Sequence, residues 1–124
     1  MRGNGDYILI VDDEANVRQI TTAALEKNNY KIRQANDGIE AISLYGRCPN
    51  QISVVLLDLM MPNMDGLMAI RNLCYLNPRV QIIATSGLPN QRQLAITSGA
   101  KAFISKPYAI QELLQTLSQL LEAT

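Results

Sequence analysis

The sequence predicts an α/β fold built on a doubly wound parallel sheet, and three observations carry that prediction. Five short segments rich in branched apolar residues recur along the chain, segments with helical spacing lie between them, and all of it fits within 124 residues. Strands are expected at 7–11 (YILIV), 31–35 (KIRQA), 52–57 (ISVVLL), 80–85 (VQIIAT) and 102–105 (AFIS). The first, third and fourth are apolar nearly throughout, as central strands covered on both faces should be, whereas KIRQA alternates and suits a position nearer an edge. Helical spacing links Val17, Ile20, Ala24 and Leu25 in the first helix, and Ile110, Leu113, Leu114, Leu117 and Leu121 in the last.

Punctuation marks the boundaries. Gly99 should cap the C-terminus of the fourth helix, and Pro49 and Pro78 follow the second and third helices, which proline cannot continue. Asp65 stands where the third helix needs an N-cap. Residues 1–6, with the stretch RGNG, read as a lead-in or linker, and residues 7–124 as one domain.

Composition narrows the function. Apolar residues make up 48% of the chain and charged residues 18%, enough for one globular core. Lys plus Arg and Asp plus Glu both number 11, so no bulk field draws in nucleic acid or an anionic membrane, and neither is expected as a partner. No apolar run approaches the roughly 20 residues of a membrane span, and the start MRGNGDY lacks a signal-peptide core, which points to the cytoplasm. Cys48 and Cys74 have neither metal-ligand nor CxxC spacing and read as buried free thiols. Histidine is absent, so chemistry here must run on carboxylates, hydroxyls and amines.

Parallel strands joined by right-handed crossovers point the same way, so the residues just after them meet at one sheet edge, where such folds bind ligands. After the first strand come Asp12, Asp13 and Glu14; after the third, Asp58; after the fourth, Thr85, Ser86 and Gly87; after the fifth, Lys106. Three aspartates, a hydroxyl and an amine would share one crevice. Such carboxylates repel one another unless a cation lies between them, and a hard divalent ion such as Mg2+, with Mn2+ as a substitute, suits oxygen ligands. One carboxylate can then act as a nucleophile, and the electrophile that fits an ammonium, a hydroxyl and Mg2+ is a phosphoryl group.

With VDDE at 11–14, LLDLMMPNMDG at 56–66, IIATSG at 82–87 and SGAKAFISKPY at 98–108, the chain resembles the response-regulator receiver domain of two-component signalling over nearly its whole length. The resemblance implies a (βα)5 flavodoxin-like three-layer sandwich with strand order 2-1-3-4-5. It implies that Asp58 accepts a phosphoryl group from a histidine kinase or histidine phosphotransfer domain. Asp13, Asp58 and the backbone carbonyl of Met60 would bind Mg2+ directly, and Asp12 mainly through water. Lys106, followed by Pro107 in what resembles the family's cis-proline turn, would contact the phosphoryl group. Ser86 fits the switch hydroxyl because Gly87 supplies the small residue after it, with Thr85 as the alternative. Phe103 matches an aromatic residue that swings inward when that hydroxyl moves.

Two further positions vary within the family and influence hydrolysis of the acyl phosphate. Here they are Met60 and Leu88, which cannot orient a water and could shield the phosphate, so slow autodephosphorylation is expected. Of the methionines, Met61, Met64 and Met68 read as packing residues beside Met60. Output to an unidentified downstream protein is expected on the face of the fourth helix, fifth strand and fifth helix, with Leu94, Lys101, Phe103 and Gln111 among its residues. The isolated chain is expected to turn over nothing beyond its own phosphorylation and dephosphorylation. No output module is recognisable before Thr124, so a stand-alone receiver or one excised from a larger protein is expected. The lead-in resembles C-terminal receivers of hybrid sensor histidine kinases, whose parent would be a kinase tethered to a membrane.

Three rivals fit less well. A haloacid-dehalogenase-type phosphohydrolase places its nucleophile after the first strand and a second Asp two positions on, where this chain has Asp12, Asp13 and Glu14. FMN binding is opposed by the acidic first loop, DDEAN, which repels a phosphate. A degenerate receiver is opposed by the full set of acidic and lysine positions.

Overall fold

A computed structural model describes residues 3–48 and 50–122. Five strands, β1 (Tyr7–Val11), β2 (Lys31–Ala35), β3 (Ile52–Asp58), β4 (Ile82–Ser86) and β5 (Ala102–Ser105), alternate with five helices, α1 (Ala15–Lys27), α2 (Gly38–Arg47), α3 (Gly66–Leu76), α4 (Arg92–Ser98) and α5 (Ile110–Glu122). The sheet is parallel throughout, in the order β2-β1-β3-β4-β5. Both the three-layer architecture and the strand order match the sequence expectation. Pro49, Met1 and Arg2 of the lead-in, and Thr124 lie outside the described residues.

Alternation along the strands divides the core between two layers of helices. Leu9, Val11, Val55, Leu57 and Ile82 pack with Ala41 and Tyr45 of α2 and Ile70 and Leu73 of α3. Ile8, Ile10, Val54, Leu56 and Ile83 pack on the other face with Leu25 of α1 and Leu113 and Leu117 of α5. Each fully buried Leu, Ile or Val contributes about 1.5–3 kcal/mol relative to exposure, which fixes the central strands firmly beneath the site edge.

Two strands differ from their expected bounds, and β3, expected at 52–57, extends one residue further to Asp58. β4, expected at 80–85, runs from Ile82 to Ser86, because the Val80 N–H closes a turn onto Asn77 at 3.0 Å and Ser86 pairs with Ser105. The ladder also continues past the strand ends: the Leu59 N–H donates to the Thr85 carbonyl and the Lys106 N–H to the Ser86 carbonyl, both at 2.9 Å. The first residues of two loops are thereby held as firmly as strand residues.

Local signals place the helices. The Asp37 carboxylate caps α2 by accepting the Glu40 N–H at 2.8 Å, and Glu40 reaches back to the Asn36 N–H at 2.7 Å. Asp65 caps α3 by accepting the Leu67 N–H at 3.0 Å, as its position implied. Gly99 ends α4 with φ +127°, a conformation that disfavours any side chain. At Gly66 a Cβ would lie 2.5 Å from Leu59 Cα and 2.7 Å from its carbonyl oxygen, so only glycine lets α3 start this close to the end of β3.

The lead-in is docked over its described part, with Gly3 and Gly5 donating to Asn28 and Asn29 at 2.7 and 2.9 Å. Cys48 and Cys74 are free but half-buried. Met61 and Met64 pack against the core, while Met60 and Met68 are exposed. No described helix is long and apolar enough to cross a membrane.

Candidate functional site

The C-terminal ends of β1, β3, β4 and β5 bring Asp12, Asp58, Thr85, Ser86 and Lys106 to one edge. Asp58 is the last residue of β3 and only 4% exposed. Its Oδ1 accepts the Met60 N–H at 2.9 Å and its Oδ2 receives the Lys106 ammonium at 3.0 Å. Asp12, directly after β1, is equally buried. Its Oδ1 accepts the Glu14 N–H and its Oδ2 receives Lys106, both at 2.9 Å, so one ammonium bridges two carboxylates.

The electrostatics follow from burial. Desolvation pushes the Asp58 carboxyl up, further than the Met60 N–H and the Lys106 ammonium pull it down. Burial alone would push the Lys106 ammonium down, but its hydrogen bonds to Asp12 and Asp58 prevail and take it up to about 12. The lysine is thus charged at every physiological pH, and any additional positive charge would favour the ionised form of Asp58 against its desolvation.

A third carboxylate joins them. Oxygens of Asp12, Glu14 and Asp58 lie within 4.8 Å of one another. Glu14 is mostly exposed and stands 4.0 Å from the Lys106 ammonium. Asp13, the metal-binding candidate from sequence, is exposed and outside that group. The chain bends at Asp13, and the Asp12 carboxylate accepts the Glu14 N–H across that bend, which brings residue 14 up to the two buried aspartates. Arg18 is a further contact that the sequence reading did not include: its Nη1 donates to the Asp12 carbonyl at 2.6 Å and its Nε to the Gln34 side chain at 3.1 Å.

The two adjacent hydroxyl residues are both buried, and they differ in setting. Thr85 pairs with Asp58 in the β3–β4 ladder. The Ser86 hydroxyl donates to Oε1 of Gln91 at 2.6 Å and accepts the Leu88 N–H at 3.0 Å. Phe103 on β5 is already turned inward at 5% exposure, with the Arg92 guanidinium 5.1 Å from its ring centroid. Of the other output-face candidates, Leu94, Lys101 and Gln111 are exposed. Met60 and Leu88 are about half exposed at the rim of the crevice. The Lys106–Pro107 peptide is cis, as the resemblance implied. Beside it, a largely apolar cavity of about 380 Å³ opens between α1 and α5, bounded by Val17, Thr21, Lys106 and Tyr108.

Comparison with known proteins bears on this geometry. The family model described as "Response regulator receiver domain" matches residues 8–118. The response regulator MprA of Mycobacterium sp. (strain KMS) is 34% identical over 119 residues, which is 94% of this chain and 51% of that protein. The chain therefore spans about half the length of the curated relatives it matches. A response regulator receiver domain protein from Clostridium thermocellum superposes with a TM-score of 0.91 at 25% identity, covering 95% of both chains. A structure of the CheX-CheY-BeF3-Mg+2 complex from Borrelia burgdorferi matches with a TM-score of 0.86 at 31% identity, covering 94% of this chain and 89% of that one. With its matching sheet order and the acid and lysine residues gathered at the sheet edge, this chain belongs to the response regulator receiver domain family.

Proposed function

We propose that Asp58 is the phosphoacceptor of a two-component phosphorelay. The observation that carries this reading is the placement of a buried carboxylate at the end of the central strand, with Lys106 against one oxygen and the Met60 N–H against the other. A carboxylate oxygen of Asp58 forms a bond to phosphorus as the bond from phosphorus to the donor's imidazole nitrogen breaks, leaving the histidine neutral once it regains a proton. Lys106 neutralises a phosphoryl oxygen while keeping Asp58 oriented. The Ser86 hydroxyl, with Thr85 as the alternative, donates to another.

The carboxylate group fits a hard divalent ion: three oxygens converge within 4.8 Å, two of them from buried residues, with a single ammonium against them. Asp12, Asp58 and Glu14 would hold it, joined by Asp13 and the Met60 carbonyl from the family pattern. Bound there, Mg2+ or Mn2+ supplies positive charge that offsets the carboxylates and the developing charge on the phosphoryl oxygens. The Borrelia neighbour, described with BeF3 and Mg2+, supports the same assignment.

The donor is a histidine kinase or histidine phosphotransfer domain, and the apolar opening between α1 and α5 beside Lys106 suits its approach. The signal passes to a downstream protein through α4, β5 and α5. A hybrid sensor histidine kinase is the parent that the lead-in sequence favours.

The test is to incubate the chain with Mg2+ and acetyl phosphate and compare intact masses of wild type and Asp58→Asn. An alkali-labile phosphoryl adduct confined to wild type is expected. Sustained phosphate release without an adduct would point to a hydrolase, and no reaction to a binding module without phosphotransfer.

A further inference from the structure

We propose that Gln91 is a positioning residue that holds the Ser86 hydroxyl away from phosphoryl contact until Asp58 is modified. The inference rests on the assignment of Ser86 as the phosphoryl-contacting hydroxyl and deepens it. A serine hydroxyl has one proton, so it can donate to one acceptor at a time. Here that proton is committed to Oε1 of Gln91 at 2.6 Å, and the oxygen's acceptor side is committed to the Leu88 N–H at 3.0 Å. Donation to a phosphoryl oxygen and donation to Gln91 are mutually exclusive.

The surroundings make this an exchange between two arrangements rather than a gradual drift. The Ser86 backbone is fixed, its residue paired with Ser105 and its carbonyl receiving the Lys106 N–H at 2.9 Å. Only rotation of the side chain remains free. Gln91 is held in turn, since its N–H closes a 3-10 turn (Pro89–Gln91) onto the Leu88 carbonyl at 3.1 Å, leading directly into α4. Ser86, Leu88 and Gln91 thus form a closed ring of hydrogen bonds that clasps the start of α4 to the end of β4. Release of the hydroxyl opens that ring at the first turn of α4, on the face assigned to output. Phe103 is already buried under Arg92, the residue next to Gln91, so an inward swing of the ring is not the step that remains. The consequence is that Gln91 sets how readily the activated arrangement forms.

Equilibrium titration of the full chain with beryllofluoride in excess Mg2+, followed by NMR, tests this directly. Gln91→Met, nearly the same shape without the strong acceptor, should bind about fivefold more tightly than wild type, the worth of one neutral hydrogen bond. Gln91→Glu retains an acceptor and should not tighten binding. In a Ser86→Ala background, Gln91→Met should change nothing, because no hydroxyl remains to be held. Equal affinity of Gln91→Met and wild type, or the same gain in the Ser86→Ala background, would overturn the role of Gln91 alone. Failure of wild type to bind beryllofluoride would overturn the phosphoacceptor assignment, and this inference with it.

Discussion

The ammonium of Lys106 stands 3.0 Å from Oδ2 of Asp58, across 48 positions of the chain. That pairing exists because β3 and β5 run in the same direction and end at the same edge, with β4 between them. The same ammonium serves Asp12, and with Glu14 nearby the site holds more negative than positive charge.

Lys106→Met should destabilise the fold by about 2 kcal/mol at low ionic strength, since it strands two buried carboxylates without a counter-charge. Urea unfolding of the single variant, of Asp58→Asn and of the double variant measures the coupling. The cost of Lys106→Met should be smaller in the Asp58→Asn background, and an equal cost would show that the pair does not interact.

Asp58→Asn should raise the thermal midpoint in metal-free buffer at pH 7, by about 3 °C for roughly 1 kcal/mol. Linkage sets the sign. The folded pKa of Asp58 lies above its ordinary value of 3.8, so its contribution is complete below that pH and is lost as pH rises through the folded value. The advantage of Asn should therefore vanish near pH 3, where both side chains are neutral, and should narrow when Mg2+ is added at pH 7. Lys106 acts in a different window: its contribution is complete below 10.5 and is lost as pH rises through about 12. Calorimetric scans of both proteins across pH provide the check.

Gly66→Ala should cost about 2 kcal/mol, because the new methyl group meets the Leu59 backbone rather than a flexible side chain. Relief requires moving either α3 or the loop after Asp58, so the rate of adduct formation with acetyl phosphate should fall together with stability. Loss of stability with an unchanged rate would mean that the loop yields without disturbing the carboxylate.

Met60→Asn with Leu88→Glu should shorten the half-life of the acyl phosphate about tenfold or more by placing polar groups at the rim where water approaches. Both residues are about half exposed there, so the exchange leaves the core intact. Decay of the adduct followed by intact mass is the measurement, and an unchanged half-life would show that the two apolar side chains do not shield the phosphate.

The strand order and the convergence of Asp12, Asp58 and Lys106 were legible because they rest on runs of apolar residues and on the polar residues at the end of each run. Glu14 beside Asp58 was not legible, because it depends on the bend at Asp13, where the Asp12 carboxylate accepts the Glu14 N–H. The Gln91 contact was not legible. It depends on a 3-10 turn whose sequence, PNQ, reads simply as a loop, and on a side-chain rotation that no periodicity encodes. The contact of Phe103 with Arg92 was not legible for a similar reason, since it is set by how α4 approaches β5.

The amides of Leu59 and Lys106, bonded to β4 beyond the formal strand ends, should exchange with solvent on the timescale of the central sheet, whereas those of Leu88 and Gln91 should exchange far sooner. The crevice would then join two mechanical regimes. The groups that hold charge belong to the most slowly opening part of the molecule, and the hydroxyl that reports on that charge belongs, through its ring of bonds, to one of the first parts to open.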